Sequence, residues 1–228
     1  HVPLFSTEFY PGWYLTWDRK VPAFPRSSAE AERAAWLILA KGGAGYNYYM
    51  WHGGTNFGYT ASYLVTTAYD YTYPLGESGG LTDKYFSTRK INLFALTWAE
   101  LLTTGKEEKC QDITVNQDKE LRLYKKSASK GKILFLENRG KNILTLNLNI
   151  EGKYDIKNFN LNPESIRPLV YDCKIDNRVR LNYCSANILK IEKRQDDGGH
   201  RGWSQYQAST DGRTTETFLG RKKTSFRD

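Results

Sequence analysis

The sequence contains few of the residues that build metal and redox sites. Its 228 residues include only three histidines, three cysteines and one methionine. Cys110, Cys173 and Cys184 are odd in number and lack the Cys-x-x-Cys spacing of zinc and redox sites. We interpret them as buried or surface thiols, and the sequence predicts no metal site.

Long apolar runs are also absent, since no stretch approaches the ~18 consecutive apolar residues of a membrane-spanning helix. The net charge of +8 is confined to the later part of the chain, because residues 1–104 contain eight basic and eight acidic side chains. In residues 105–193, 18 basic residues are scattered singly among 12 acids. This pattern is typical of a solvated surface rather than a nucleic-acid groove, so we expect no membrane and no nucleic-acid partner.

The first part of the chain alternates predicted strands and helices. "VPLFSTEFY" is a short apolar run that predicts a buried strand, and the Pro11-Gly12 turn signal follows it. The sequence "SSAE", beginning at Ser27, predicts a capping box for the helix "AERAAWLILAKGG", which Gly42 can end.

A second strand and helix follow, "GYNYYMW" and "LTDKYFSTRKINLFALTWAELLTTG". The predicted core stripe of that long helix is Tyr85, Phe86, Ile91, Phe94, Trp98 and Leu101. Two strand–helix units in series imply parallel strands. The long connection between the second strand and its helix, rich in tyrosine, threonine and glycine, is typical of a functional loop.

From about residue 106 the pattern changes to short strands: "ELRLYKK", "KILFLEN", "ILTLNLNI", "IRPLVYD", "RLNYCS" and "NILKIEK". Alternation of apolar and polar residues in "ILTLNLNI" indicates a half-buried antiparallel strand. Residues 194–228 contain no valine, isoleucine or methionine, and we expect them to be disordered. The predicted fold class is α/β followed by all-β, with an α/β domain at 1–105, an antiparallel β domain at 106–193 and a tail at 194–228.

Glu8 stands near the end of the first predicted strand, where parallel α/β folds collect reactive side chains. Its neighbours Tyr10, Trp13, Tyr14 and Trp17 offer flat apolar faces that can stack on sugar rings. A carboxylate among them could attack or stabilise an oxocarbenium-like centre. The alternative is an exposed or salt-bridged glutamate at a strand end.

The end of the second strand and the loop beyond it add Tyr49, Tyr69 and Tyr71. Tyrosine hydroxyls can hydrogen-bond both a carboxylate and sugar hydroxyls, so such a pocket suits a polyol better than an anion. We favour a structural or supporting role for His52 over catalysis. "GGTNFG" lacks the Gly-Lys-Ser/Thr ending of a phosphate loop, which argues against nucleotide binding.

Three motifs, "STEFYPGWYLTW", "NYYMWHGGTNFGYT" and "TTAYDYTYPLGESGGLTDKYF", closely resemble in sequence and order the last third of the catalytic barrel of glycoside hydrolase family 35, the β-galactosidases. The resemblance covers about residues 1–192, is strongest over residues 4–86 and weakens in the β domain. It implies the last two β/α units of a (β/α)8 TIM barrel followed by a small antiparallel β domain. It assigns Glu8 as the nucleophile of a retaining mechanism and Tyr10, Trp13, Tyr49, Tyr69 and Tyr71 to the substrate pocket.

The resemblance also places the family's acid/base glutamate upstream of His1. We therefore expect a C-terminal piece of a retaining exo-β-galactosidase that needs no metal or organic cofactor. Its partners would be a β-galactoside oligosaccharide or glycoconjugate and an upstream polypeptide that completes the barrel. The alternatives are an exo-β-glucosaminidase of the same family, an inert remnant, or a carbohydrate-binding fragment.

Overall fold

A computed structural model describes residues 4–173, with gaps, and the backbone of a short strand at Asn187–Ile188. The gaps are Val21, Pro25, Tyr63, Asp70, Tyr71, Gln117 and Asp118. The predicted tail, the strand "RLNYCS" and most of "NILKIEK" lie outside the described residues. Contacts divide the chain into two units, residues 1–92 and 93–228. The domain limits expected from composition remain a prediction.

The first unit contains two parallel strands connected through a helix. Strand β1 spans Phe5–Phe9, helix α1 spans Ser28–Ala40, and strand β2 spans Gly45–Tyr48. β1 pairs with β2 in parallel, with Phe5 opposite Gly45. The predicted strand–helix–strand order and the parallel pairing are therefore confirmed.

Both ends of α1 follow the signals in the sequence. The Ser27 amide donates to the Glu30 carboxylate at 2.7 Å, and the Glu30 amide donates to the Ser27 hydroxyl at 3.2 Å, which completes the predicted capping box. At the other end Gly42 adopts φ = 80°, and the next amide, that of Gly43, bonds the carbonyl of Ile38 at 2.8 Å. Gly42 ends the helix as predicted, because glycine reaches this left-handed conformation without steric cost.

The single long helix predicted over residues 81–105 is wrong. The structure has two helices, α2 at Asp83–Thr97 and α3 at Ala99–Thr104, separated at Trp98 with φ = −106° and ψ = 21°. The Thr97 hydroxyl donates to the carbonyl of Leu93 at 2.7 Å, and a bond of this kind tends to bend a helix.

The predicted core stripe of α2 is wrong at one position. Ile91 and Phe94 are fully buried, whereas Phe86 is 56% exposed. The buried side of the helix also includes Lys84 and Thr88. Phe86 lies two residues, about 200°, from each of them, so it points away from the core.

The second unit is rich in antiparallel strands. They are β3 at Lys106–Glu108, β4 at Ile113–Val115, β5 at Leu121–Ala128, β6 at Gly131–Asn138, β7 at Leu144–Ile150, β8 at Tyr154–Leu161, β9 at Ser165–Tyr171 and β10 at Asn187–Ile188. One sheet has the order β10-β9-β6-β5-β3 and the other β4-β7-β8. All pairs are antiparallel except that of β10 with β9. The predicted β-rich region is therefore confirmed, although the sequence did not predict β3, β4 or β8.

The core of this unit forms between the two sheets. Leu146, Leu148 and Ile150 of β7 are buried, whereas Thr145 and Asn147 are exposed and Asn149 is half-buried, so the predicted alternation is present. They share one apolar cluster with residues of β6 and β9. No helix in the described part of the chain is long and apolar enough to span a bilayer.

Asp172 joins three elements of the second unit through its carboxylate. It accepts hydrogen bonds from the Lys153 ammonium at 2.5 Å and the Tyr154 hydroxyl at 2.7 Å, and Lys132 lies 3.3 Å away. Burial alone would raise the pKa of Asp172, but these donors outweigh it and hold the pKa at about 2.

We predict that Asp172→Asn lowers the free energy of unfolding by about 2 kcal/mol at pH 7, and that the difference disappears near pH 2. The folded-state pKa lies below the ordinary value of 3.8. The stabilisation is therefore present above about pH 4 and is lost as the pH falls through 2. Urea unfolding followed by circular dichroism at several pH values measures it.

Lys130→Met is the matched control, because Lys130 and its partner Glu100 are 55% and 59% exposed. It should change stability by less than about 0.5 kcal/mol. An Asp172→Asn effect of the same size at pH 2 and pH 7 would contradict the role given to the carboxylate.

Candidate active site

The register of the two parallel strands brings the candidate residues to one end of the pair. Phe9 lies opposite Tyr48, and the Tyr49 amide donates to the Phe9 carbonyl at 2.9 Å, which extends the pairing by one residue. At the other end, a Cβ on Gly45 would lie 2.8 Å from the Phe5 ring. A larger residue at Gly45 would therefore have to displace the exposed Phe5 ring. Glu8 and Tyr49 stand at the carboxyl ends of adjacent parallel strands.

Glu8 is exposed, and its carboxylate oxygen Oε2 accepts a hydrogen bond from the hydroxyl of Tyr10. This bond is the main reason that the pKa of the Tyr10 phenol is raised, since ionisation would remove the donated proton and place two negative charges together. Tyr10 is therefore held as a neutral donor to the acid.

Five aromatic side chains form a closed circuit beside Glu8, which we name the aromatic cluster: Tyr10, Trp13, Tyr14, Tyr69 and Tyr49. Tyr10 contacts Trp13 edge to face at 5.3 Å between ring centroids, and Tyr49 at 5.8 Å. Trp13 stacks on Tyr14 at 5.3 Å, and Tyr14 stacks on Tyr69 at 4.8 Å. Tyr69 meets Tyr49 edge to face at 6.4 Å, which closes the circuit.

The pKa of the Tyr69 phenol is raised above its ordinary value. Burial is the main cause, followed by its hydrogen bond with Tyr49 and the nearby Tyr73 and Tyr14. A group of neutral phenols next to a carboxylate offers hydrogen-bond donors and acceptors without added charge. Such a surface is chemically matched to a polyhydroxylated, uncharged ligand.

The structure brings Glu8 together with four of the five pocket residues expected from the sequence, Tyr10, Trp13, Tyr49 and Tyr69. The fifth, Tyr71, lies outside the described residues. The sequence indicates Tyr14 only as an aromatic neighbour of Glu8, whereas in the structure its ring connects Trp13 to Tyr69. Its position next to Trp13 was the available signal, but contact with a residue 55 positions away cannot be read from local spacing.

His52 lies in a different set of contacts. Its Nε2 is 3.2 Å from the backbone carbonyl oxygen of Glu77. A carbonyl oxygen only accepts, so this hydrogen bond requires a hydrogen on Nε2. Residue 52 also forms an isolated bridge with Leu75. These contacts connect two loops, and a structural role for His52 stays our prediction.

The turn after β1 is fixed by a close approach to the loop that precedes α2. The Trp13 amide donates to the Thr72 hydroxyl at 2.8 Å, and that hydroxyl donates to the Trp13 carbonyl at 3.0 Å. A Cβ on Gly12 would lie 2.0 Å from the Thr72 hydroxyl oxygen and 2.6 Å from its carbonyl oxygen. Only glycine fits at residue 12 without moving this loop.

The described residues do not fulfil the requirements of a metal site. Across the described residues, no group of three or more histidine, cysteine, aspartate or glutamate side chains is arranged to hold a metal ion. The chemistry that the site itself offers is that of one carboxylate with a phenol donor and apolar ring faces.

Comparison with known proteins gives a family match for the segment that contains these residues. Residues 1–94 match glycosyl hydrolases family 35. The resemblance to family 35 is confirmed. The matched segment contains β1, α1, β2, Glu8 and the whole aromatic cluster.

Three curated relatives illustrate the similarity. The chain is 43% identical over 97 residues to a "Beta-galactosidase" of Homo sapiens, which covers 39% of this chain and 13% of the relative. It is 40% identical over 98 residues to a "Beta-galactosidase-1-like protein" of Mus musculus, covering 40% and 15%. It is 34% identical over 131 residues to "Beta-galactosidase 10" of Arabidopsis thaliana, covering 55% and 17%. The chain thus spans less than a fifth of the length of these relatives.

We predict that Gly12→Ala disturbs the aromatic cluster and lowers the free energy of unfolding by about 1–3 kcal/mol, since the new methyl group must displace Thr72. The near-ultraviolet circular dichroism of the tyrosine and tryptophan rings should weaken. Gly80→Ala is the control, because a Cβ there meets nothing within 4 Å. Unchanged near-ultraviolet spectra for both variants would contradict the close approach.

Proposed function

We propose that this chain is part of a retaining exo-β-galactosidase, in which Glu8 is the nucleophile. The observation that carries the proposal is the Glu8 carboxylate at the tip of β1, bonded by the Tyr10 phenol and standing beside the aromatic cluster. The family 35 match over residues 1–94 and the β-galactosidase names of the relatives support the reaction type.

The chemistry follows from a carboxylate facing an anomeric carbon. Oε2 of Glu8 accepts the Tyr10 hydroxyl, so we assign the attack to Oε1. As the new bond forms, the bond between the anomeric carbon and the leaving-group oxygen breaks, and a second carboxyl group gives its proton to that oxygen. A water molecule then gives a proton to the same carboxyl group and attacks the anomeric carbon, which breaks the bond to Glu8 and releases the sugar. Glu8 is thereby returned to its carboxylate form and the second group to its protonated form.

The aromatic cluster would hold the sugar for this attack. The C–H face of a hexose can pack on the indole of Trp13, and the phenols of Tyr49 and Tyr69 can bond its hydroxyls. We assign these three residues, with Tyr10 and Tyr71, to substrate binding. The substrate class is a terminal β-galactoside of an oligosaccharide or glycoconjugate.

The second carboxyl group must lie about 5–5.5 Å from Glu8 in a retaining enzyme. We infer that it belongs to a part of the protein beyond this sequence, since the chain spans only 13% of the human relative. The resemblance to family 35 implies that β1, α1, β2 and α2 are the last two units of a (β/α)8 barrel. A barrel needs eight such strands, so an upstream polypeptide would complete both the fold and the catalytic pair.

We predict that Glu8→Gln in the complete protein lowers kcat for an aryl β-galactoside by about 10³-fold or more, because the amide cannot form the glycosyl ester. Glu107→Gln is the control, since Glu107 is exposed on β3 in the other unit. Wild-type hydrolysis in the Glu8→Gln enzyme would refute the assignment. Hydrolysis of aryl β-glucosaminides in preference to aryl β-galactosides would instead identify the protein as an exo-β-glucosaminidase.

A further inference from the structure

The turn from Tyr10 to Trp13 carries two rings of the aromatic cluster, and side chains from two separate segments bond its backbone, while a third side chain bonds the backbone of one of the two residues that supply them. These side chains are Thr72, Lys84 and Arg26. None of them belongs to the aromatic cluster, and each bonds a backbone group instead.

The Thr72 hydroxyl both accepts and donates a hydrogen bond with the backbone of Trp13. It accepts from the Trp13 amide at 2.8 Å and donates to the Trp13 carbonyl at 3.0 Å. Two bonds to the same residue fix both the position and the rotation of its backbone. The direction in which the Trp13 indole projects from the turn is thereby restricted.

Lys84 of α2 bonds the backbone of Thr72. Its side chain is buried, with 7% of the residue exposed, and its ammonium donates to the Thr72 carbonyl at 2.5 Å. Burial and, next, the nearby Arg26 lower the pKa of Lys84 to about 8, while Glu30 acts in the opposite direction. Burial of this ammonium costs solvation, which its bond to the Thr72 carbonyl offsets in part.

Arg26 holds the other end of the turn. Its Nη1 donates to the Tyr10 carbonyl at 2.5 Å. Tyr10 is the donor to Glu8, so the same residue is restrained through both its backbone and its hydroxyl. Arg26 and Lys84 both lie close enough to Glu30 to lower the pKa of its carboxyl, after the larger effect of Ser27.

We propose that Thr72, Lys84 and Arg26 are positioning residues that hold Tyr10 and Trp13 in the orientation that binds the sugar. This inference rests on the proposed function and assigns it three residues that do not touch the substrate. Lys84 acts through Thr72 on Trp13, and Arg26 acts directly on Tyr10. A small displacement of the Trp13 ring would reduce its contact with the sugar face and weaken binding of both substrate and product.

The test uses the complete protein with Thr72→Val, Thr72→Ser and Lys84→Met. Valine keeps the shape of threonine but removes both bonds to Trp13, whereas serine keeps the hydroxyl. The inhibition constant for galactose and KM for an aryl β-galactoside should each rise about tenfold in Thr72→Val and Lys84→Met, because partly buried backbone groups lose their partners and the turn is less restrained. Thr72→Ser should restore the inhibition constant to within about twofold of wild type.

Thr145→Val is the matched control, since Thr145 is exposed on β7. It should leave the galactose inhibition constant and KM at their wild-type values. A second readout, independent of catalysis, is amide hydrogen exchange of residues 10–16 followed by mass spectrometry. That segment should exchange faster in Thr72→Val, and Thr72→Ser should restore its protection.

The outcomes separate the two proposals. If the wild-type protein hydrolyses the galactoside, a wild-type galactose constant in Thr72→Val overturns the positioning role. Equal loss in Thr72→Val and Thr72→Ser also overturns it, because the hydroxyl is then not responsible. If the wild-type protein does not hydrolyse the galactoside, the proposed function fails. The positioning role is then tested by hydrogen exchange alone, and an unchanged exchange rate of residues 10–16 in Thr72→Val overturns it.

Discussion

The closing of the aromatic cluster beside Glu8 depends on the pairing of β1 with β2. That pairing puts the end of β1 beside Tyr49, whose ring contacts Tyr10 and closes the aromatic cluster. If β1 slipped by one residue, Glu8 would turn to the other face of the strand, because successive side chains alternate. The glycine at residue 45 leaves room for the Phe5 ring across the strand pair, and the proposed chemistry begins with the register of these two strands.

The rest of the first unit restrains what this pairing brings together. α1 begins at a complete capping box, and Arg26 lies immediately before it, so the start of the helix also fixes the arginine that bonds the Tyr10 carbonyl. α2 provides Lys84 on its buried side. Restraint of this kind matters for a sugar-binding site, because its apolar ring faces contribute binding only when they are parallel to the sugar.

Local signals in the sequence predicted several features correctly, and long-range geometry accounts for the failures. The capping box at Ser27 and the alternation in β7 are set by neighbouring residues. β8 was missed because its buried residues, Tyr154, Phe159 and Leu161, do not alternate strictly. A register shift opposite Leu146–Leu148 inserts an extra residue, and Asn158 adopts φ = 57° there. The contact of Tyr14 with Tyr69 and the close approach at Gly12 depend on the folded loop, which periodicity does not predict.

The central claim is that Glu8 faces the anomeric carbon of a bound galactose. A fluorinated galactosyl inhibitor that forms a stable glycosyl ester with the nucleophile tests it most directly, with the complete protein digested after labelling and its peptides sequenced by mass spectrometry. The account predicts one galactosyl unit on the peptide that contains "STEFYPGW", attached to Glu8. A label on any other side chain would contradict it.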